Sequence, residues 1–405
     1  MLIFILVAIV FSVVPLLHYF RGHSIVDYKL WYNTGKQVLA GDEIFFLRSG
    51  KYDFMYPLPC ALFLAGGSWL GQAGLILLLV AINSAAWFYS ARLTATLAGG
   101  RHGKNAWLYL IPSLLVIVYI WSTYHLGQPN LVLLALMLGA FVALRTKREP
   151  SAGALIAVAT AIKAFPVMAI IYLVYRRYWQ ATASLIVTLV FLLLIFPAPV
   201  RGFHRTWTDL EKWSTGMLKY SAVSVAQRPM RSFTWKNQSL VGVANRFLRH
   251  VDADAASAPD RPIYVNFADF KFATVNAIII GFALGLGIVF VFVMPQRSMR
   301  TAESDAIEFA LLLLMILIVT PLSFGYFFCW LMLPLGVITQ RVLAGKDPAL
   351  LWWTVPALVL LALGLPFPHS AQIYGNTFFA ALLLFIGLAI ALWQYKKQIQ
   401  PIAVG

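Results

Sequence analysis

Four groups of polar side chains in this sequence stand where their types and spacing could do chemistry. The first is a single carboxylate, Asp27, at the head of the run HSIVDYKLWYNTGKQVLAG. Behind it Tyr28, Trp31, Tyr32, Gly35, Val38 and Leu39 recur at three- and four-residue spacing, which predicts an amphipathic helix closed by Gly41. Its aromatic face suits a helix lying in a membrane interface. Asp27 just before the first turn is placed to act as an N-cap. A carboxylate held there can also serve as a general base, and the two roles are compatible. The second group is Tyr124-His125-Leu126-Gly127-Gln128-Pro129-Asn130, which gathers His125, Gln128 and Asn130 at a helix start punctuated by Pro129.

The third group is a lone cation, Lys163, in the apolar stretch 151–175, at Lys163-Ala164-Phe165-Pro166. An ammonium at membrane depth is costly unless it meets an anion or a water-filled cavity, so Lys163 is a functional candidate. The plainer alternative is one long tilted span with a snorkelling or paired lysine. The fourth group is the basic segment 199–271, with Arg228, Arg231 and Lys236, followed by Asn237 and Gln238 in FTWKNQSL. Farther on, VTPLSFGYFFCW carries Pro321 and Tyr326. Signatures of soluble catalysis are missing: there is no nucleophile elbow, no phosphate-binding glycine loop and no metal-ligand spacing. Cys60 and Cys329 lie far apart in apolar stretches and suggest neither a disulfide framework nor a zinc site.

The elements that must position these groups are membrane helices. Of 405 residues 61% are hydrophobic and 11% charged, where a soluble domain has roughly 45–50% and 25%. A span needs ~20 apolar residues, and such runs recur from end to end, at 2–20, 72–94, 106–122, 129–144, 151–175, 180–198, 272–294, 306–321, 326–340, 350–366 and 377–395. The stretch 56–67 is partly apolar as well. The fold class is therefore an all-α polytopic membrane protein with about 11–13 membrane segments. The sequence reads as a single integral membrane domain, 1–405, with two water-facing insertions at 21–71 and 199–271. Its first hydrophobic run has no basic n-region and no small-residue cleavage site, and reads as a retained span.

Charge sets the topology. Short connections rich in Lys and Arg, at 92–104, 145–148, 176–177, 297–300, 341–346 and 396–397, belong inside the cell, and those with none, at 123–128, 322–325 and 367–376, belong outside. Both 145–148 and 176–177 can be inside only if 151–175 is a hairpin. Its two halves of ~18 Å are each too short for a full crossing. The break falls at Lys163–Pro166, where proline disfavours helix in the residue before it. Arg21 and Lys29 after the first span vote the other way and are outvoted. The insertions 21–71 and 199–271 then face outward. Inner-face bias accounts for much of the formal charge of +16, so a nucleic-acid partner is not called for. The exception is 199–271, with eleven Lys or Arg against six acids. Either it is a solvated domain without a message, or it handles phosphates or acidic lipid head groups.

Taken in order, these residues resemble glycosyltransferase family 87, the polyprenol-phosphate-mannose-dependent mannosyltransferases. The elements that carry the resemblance are Asp27, Tyr32 and Gly41; Tyr56 with Pro57 or Pro59; Gly127, Gln128 and Asn130; Ile162, Lys163 and Pro166; Asn237, Gln238 and Ser239; and Pro321, Leu322 and Ser323. The G-Q-x-N and I-K-x-x-P pair at this separation is the most specific part. Phe324 and Tyr326 stand where the family leads one to expect Trp and His, so contacts there differ. The resemblance implies the GT-C architecture, a polyprenyl-phosphate sugar as donor, a lipid or glycan acceptor, and inverting transfer with Asp27 as base; no cofactor is called for, and the sequence does not indicate metal dependence. Lys163, Arg228, Arg231 and Lys236 become candidates for the donor phosphate; Tyr32, His125, Gln128, Asn130, Asn237, Gln238 and Tyr326 become candidates for substrate contacts. The expected location is the inner or plasma membrane, with the site on the outer side. The rivals are a secondary transporter or lipid flippase, which also uses broken helices and midplane charges, and a lipid-diphosphate-dependent polysaccharide ligase or polymerase.

Overall fold

The computed structural model describes residues 2–399 apart from 26, 46, 49–50, 53, 100–104, 219–226, 228–231 and 256–260. Among the described residues it is helical except for a two-residue hairpin, Leu47–Arg48 paired with Lys51–Tyr52. The helices are α1 (Leu2–Phe20), α2 (Asp27–Leu39), α3 (Leu58–Ser68), α4 (Gly71–Gly99), α5 (Trp107–Leu115), α6 (Ile117–Leu126), α7 (Asn130–Arg145), α8 (Glu149–Ile162), α9 (Ala169–Tyr175) and α10 (Trp179–Val190). They continue as α11 (Ala198–Arg201), α12 (Phe203–Leu218), α13 (Leu240–Leu248), α14 (Phe272–Val293), α15 (Ala302–Val319), α16 (Met332–Leu343), α17 (Leu351–Leu363), α18 (Pro368–Ile373) and α19 (Asn376–Ile399). Among the described residues, five helical stretches are long and apolar enough to cross a bilayer: Gly71–Gly99, Trp179–Arg201, Phe272–Val293, Gly325–Leu343 and Asn376–Gln398. Six shorter apolar helices accompany them. The protein is a membrane-embedded, multi-pass bundle, as its hydropathy predicts. The expected span at 106–122 is not one helix. It breaks at Val116 (φ −106°, ψ 11°), where α5 ends.

The contacts group the chain into two compact units, residues 1–93 with 117–219, and 94–116 with 220–405. In the first, α2 lies directly on α3. Gly35 permits this, since a Cβ there would fall 2.1 Å from Ser68 Oγ and 2.6 Å from Leu64 O. The sequence placed the aromatic face of α2 in a membrane interface. The structure turns it inward: Tyr28 is 0% exposed and Trp31 3%, because their rings are consumed in packing within the unit. Asp27 is the first helical residue rather than the residue before the helix, so it faces the helix dipole from within the first turn.

The hairpin at 151–175 is present. Helix α8 ends at Lys163, whose φ of −152° and ψ of 126° are extended, and a 3-10 turn, Phe165–Met168, leads into α9. The beginning of α10 then returns to the beginning of α8: Ser184 Oγ donates to Pro150 O at 2.7 Å, and a Cβ on Gly153 would lie 2.0 Å from Ala181 O. Residues 163–175 therefore carry the chain back to the end at which α8 started. Both basic turns at that end have the same construction. Lys147 (φ 60°) and Arg177 (φ 56°) occupy the left-handed position usually given to glycine. Each is closed by a pair of bonds, Arg148 N–H to Ala143 O and Lys147 N–H to Leu144 O in one, Tyr178 N–H to Leu173 O and Arg177 N–H to Val174 O in the other.

In the second unit, Thr301 caps α15 with a reciprocal Thr301–Ser304 capping box. Close approaches at glycine seat the other helices: a Cβ on Gly336 of α16 would lie 2.4 Å from Thr94 Cγ2, and one on Gly387 of α19 would lie 2.8 Å from Trp353 Cβ of α17.

The hairpin makes a direct prediction. With Cys60 and Cys329 replaced by alanine, Thr146→Cys and Gln180→Cys, both at exposed positions, will react with a membrane-impermeant maleimide from the same side of the membrane. Labelling from opposite sides would mean that 151–175 crosses the bilayer once.

Candidate active site

The first unit brings together Asp27, Tyr56, Gln128, Asn130 and Lys163, which come from four separate elements. The turn between α6 and α7 is held by α2 at two points three residues apart on one helical face. Tyr28 OH donates to Tyr124 O at 2.7 Å, and Trp31 Nε1 donates to Gly127 O at 2.8 Å. Burial and the neighbouring Tyr124 phenol push the Tyr28 pKa upward, which keeps it a donor. Gly127 is required twice over. Its φ is +72°, and a Cβ would sit 3.0 Å from three atoms of the Tyr28 ring. Because Asp27 precedes Tyr28 and Gln128 follows Gly127, this clamp sets the carboxylate against the amide.

Gln128 is the hub. Its Nε2 donates to Asp27 Oδ2. Its Oε1 accepts from Tyr56 OH at 2.7 Å and from Lys163 Nζ at 3.4 Å. Lys163 Nζ also reaches Asn130 Oδ1 at 3.4 Å and lies 5.3 Å from the Tyr56 ring centroid. Lys163 can make these contacts because the extended break after α8 releases it from the helix. Gln128, Asn130 and Tyr56 are buried, whereas Asp27 and Lys163 are half-exposed. The neutral hydrogen-bonding groups are the more deeply buried, and the two charged groups the less so.

Tyr56 is itself fixed from behind. Its ring meets Trp31 edge-on at 4.7 Å, and Met55 O accepts from Trp213 Nε1 at 3.2 Å. Of the other acids of the first insertion, Glu43 is engaged elsewhere, and Asp42 is held through its backbone. Glu43 pairs with Lys212, and Arg201, bound to Asp209 at 2.9 Å, also donates to the backbone carbonyl of Asp42. Asp53 lies outside the described residues.

Several sequence candidates are placed differently. Tyr32 is half-buried on α2, where its carbonyl accepts from Ser68 Oγ at 3.4 Å. His125 stacks on Trp121 (5.7 Å) and meets His18 edge-on (5.9 Å). Asn237 and Gln238, in the second unit, are 0% exposed and committed to internal bonds. Asn237 Nδ2 donates to Ser232 O and Pro321 O, while its Oδ1 accepts the N–H groups of Ser239 and Ser323. Gln238 Nε2 donates to Trp235 O and Gln372 O, and its Oε1 accepts from Thr377. The N-Q-S and P-L-S motifs thus bind each other. Beneath them Arg246, 0% exposed, donates to the carbonyls of Thr234, Asn237, Gln372 and Ile373. Burial pulls its pKa down to about 9, so it remains charged at neutral pH. Tyr326 is half-buried beside Phe324 (5.9 Å). Lys236 is exposed above the Trp235 ring (5.1 Å). Arg228 and Arg231 lie outside the described residues. Tyr56 was visible in the sequence only as part of a Y-x-P element, because nothing in its spacing revealed that its hydroxyl would meet Gln128. Among the described residues, no group of three or more His, Cys, Asp or Glu could hold a metal ion.

Comparison with known families settles the class. The profile of glycosyltransferase family 87 matches residues 54–321. This chain belongs to glycosyltransferase family 87. The match takes in Tyr56, Gln128, Asn130 and Lys163 and begins after Asp27, whose place in the cluster rests on the geometry. No curated protein matches the chain.

The clamp is testable by itself. Gly127→Ala forces a positive-φ alanine against the Tyr28 ring, a cost of roughly 1–3 kcal/mol. Thermal unfolding of the detergent-solubilised protein, followed by tryptophan fluorescence, will show a lower midpoint for Gly127→Ala. Gly41→Ala, whose Cβ would meet nothing within 4 Å, pays the backbone strain alone and will fall less.

Proposed function

We propose that this glycosyltransferase moves a sugar, mannose by family resemblance, from a polyprenyl-phosphate donor to a hydroxyl of a lipid or glycan acceptor on the outer side of the cell's inner or plasma membrane. The observation that carries the reading is that one buried amide, Gln128, holds both Asp27 and Lys163. Asp27, oriented by the Gln128 amide at Oδ2, is the proposed base that takes the acceptor's hydroxyl proton. The alkoxide-like oxygen attacks the anomeric carbon as its bond to the donor phosphate breaks, and the departing polyprenyl phosphate takes the electron pair. Attack opposite the leaving group inverts the anomeric configuration. Negative charge grows on the phosphate, and a nearby preorganised cation lowers the energy of that transition state. Lys163 is the proposed cation; Arg228, Arg231 and Lys236 of the second insertion remain phosphate candidates by resemblance alone. The donor arrives already linked to lipid, so the chemistry needs no nucleotide site.

The base assignment separates Asp27 from its neighbours. Asp27→Asn keeps a hydrogen-bond acceptor for Gln128 but cannot take a proton, so single-turnover transfer from polyprenyl-phosphate mannose will drop by roughly 100- to 10,000-fold while the protein stays folded. Glu43→Gln removes only a half-exposed ion pair with Lys212, worth at most about 1 kcal/mol, and Asp42→Asn leaves the carbonyl bound by Arg201 intact; both will retain most activity. An Asp27→Asn enzyme within a few-fold of wild type would transfer the role to another group.

Lys163 is expected to act through its charge. Lys163→Ala will abolish most transfer, and Lys163→Arg will restore only part of it, since a planar fork cannot take the place of a compact ammonium above the Tyr56 ring. Near-normal turnover by Lys163→Ala would leave the lysine a packing role.

A further inference from the structure

The second unit contains another set of ionisable groups with a built geometry, at Asp254, His369, Trp235 and Lys236. Asp254 is 7% exposed and its carboxylate is held at both oxygens: Oδ1 accepts from Trp235 Nε1 at 2.8 Å, and Oδ2 meets His369 Nε2 at 3.3 Å. The backbone beneath it is also tied down. Asp252 Oδ1 accepts the N–H groups of Asp254 and Ile263, both at 2.9 Å, and Trp235 N–H donates to Ala253 O at 2.8 Å.

A carboxylate on one ring nitrogen fixes the tautomer and orientation of an imidazole. Here Nε2 carries the hydrogen toward Asp254, which leaves Nδ1 on the far side of the ring. The His369 side chain is 43% exposed. Its ring lies 4.8 Å from the Trp235 ring at 76°, and Lys236 Nζ lies 5.1 Å from the centroid of that same indole. A pair serving only as an internal staple has no need to keep its histidine open to water, and it would not gather a lysine ammonium on the same ring. The buried Asp254 and the half-buried Trp235 orient the group, and the exposed members present the Nδ1 of His369 and the ammonium of Lys236 outward.

We propose that His369 and Lys236, oriented by Asp254 and Trp235, form a binding site for a phosphoryl group carried on a membrane lipid. The Lys236 ammonium can donate the charge-assisted hydrogen bonds that phosphate oxygens accept, and the outward ring nitrogen of His369 can accept from a hydroxyl of the phosphate or its head group. The inference deepens the proposed function by giving Lys236 a partner, and it rests on that reading only for the lipid; the anion chemistry rests on the contacts themselves.

The test is equilibrium binding to the full chain in lipid nanodiscs, with farnesyl phosphate, phosphatidylglycerol and inorganic phosphate as separate probes. Preference for farnesyl phosphate would identify a monoester such as a polyprenyl phosphate, and preference for phosphatidylglycerol would identify a diester head group. Inorganic phosphate bound equally well would overturn the lipid assignment. His369→Ala and Lys236→Ala will each weaken lipid-phosphate binding about tenfold, and the double variant will depart from the product of the two, because both residues touch one anion. His369→Gln, which keeps the bulk and a hydrogen-bonding amide, guards against loss through misfolding and is expected to bind between wild type and His369→Ala. Lys271→Ala removes an exposed charge elsewhere in the segment and is expected to change nothing. The proposal is overturned if wild type binds none of the probes, if His369→Ala and His369→Gln both bind within twofold of wild type, or if Lys271→Ala costs as much as Lys236→Ala. Transfer from polyprenyl-phosphate mannose by the wild-type enzyme tests the other reading separately. Binding through His369 without transfer would remove the transferase mechanism and leave this site, and transfer with binding indifferent to His369 and Lys236 would do the reverse.

Discussion

Two hydrogen bonds from one face of α2 to the turn between α6 and α7 hold the candidate site together. Tyr28 and Trp31 are large, buried and polar at one point each. Their rings supply the apolar burial, and their single donors specify where the turn must lie. A glycine in a left-handed conformation fits beneath the Tyr28 ring, and the residues on either side of the contact, Asp27 and Gln128, are thereby brought into register. The same pair of aromatic residues holds Tyr56 through the Trp31 ring. A surface helix with polar donors facing water would not have set these distances.

The site separates the groups that must be accurate from those that must be available. Gln128, Asn130 and Tyr56 are buried and neutral, so they incur no large cost of desolvating charge. Asp27 and Lys163 are less deeply buried and stay partly open to water. A single amide between an acid and a base binds each through its complementary end, N–H to carboxylate and C=O to ammonium. Any change in what the ammonium meets is therefore felt by the hydrogen bond that orients the carboxylate.

Much of this arrangement was legible in the sequence. Positive-inside parity required the hairpin, and Lys163–Pro166 marked its break. G-Q-x-N and I-K-x-x-P identified three of the five clustered residues, and Asp27 stood out as the acid at the head of an amphipathic helix. The direction faced by the aromatic stripe of α2 was not legible, because periodicity reveals a face without saying whether lipid or protein covers it. Asn237 and Gln238 looked like contacts for a ligand, since buried polar side chains have the same composition whether they serve a substrate or the backbone. The break at Val116 carries no sequence mark at that residue, and the Asp254–His369 pair joins positions 115 residues apart that no spacing rule connects.

The knot around Arg246 has a consequence for the birth of the protein. Arg246 and Asn237 leave the ribosome well before the carbonyls of Pro321, Gln372 and Ile373 that they bind. At ordinary rates of synthesis the guanidinium waits on the order of ten seconds for Ile373. During that interval the guanidinium has only the local carbonyls of Thr234 and Asn237, and a charge so incompletely paired is costly in hydrocarbon and favours water. The segment that holds it is thus held in water while four further helices, α14 to α17, are being made, and it closes only when α18 emerges. The last fifth of the chain acts as the key that locks an insertion made long before it.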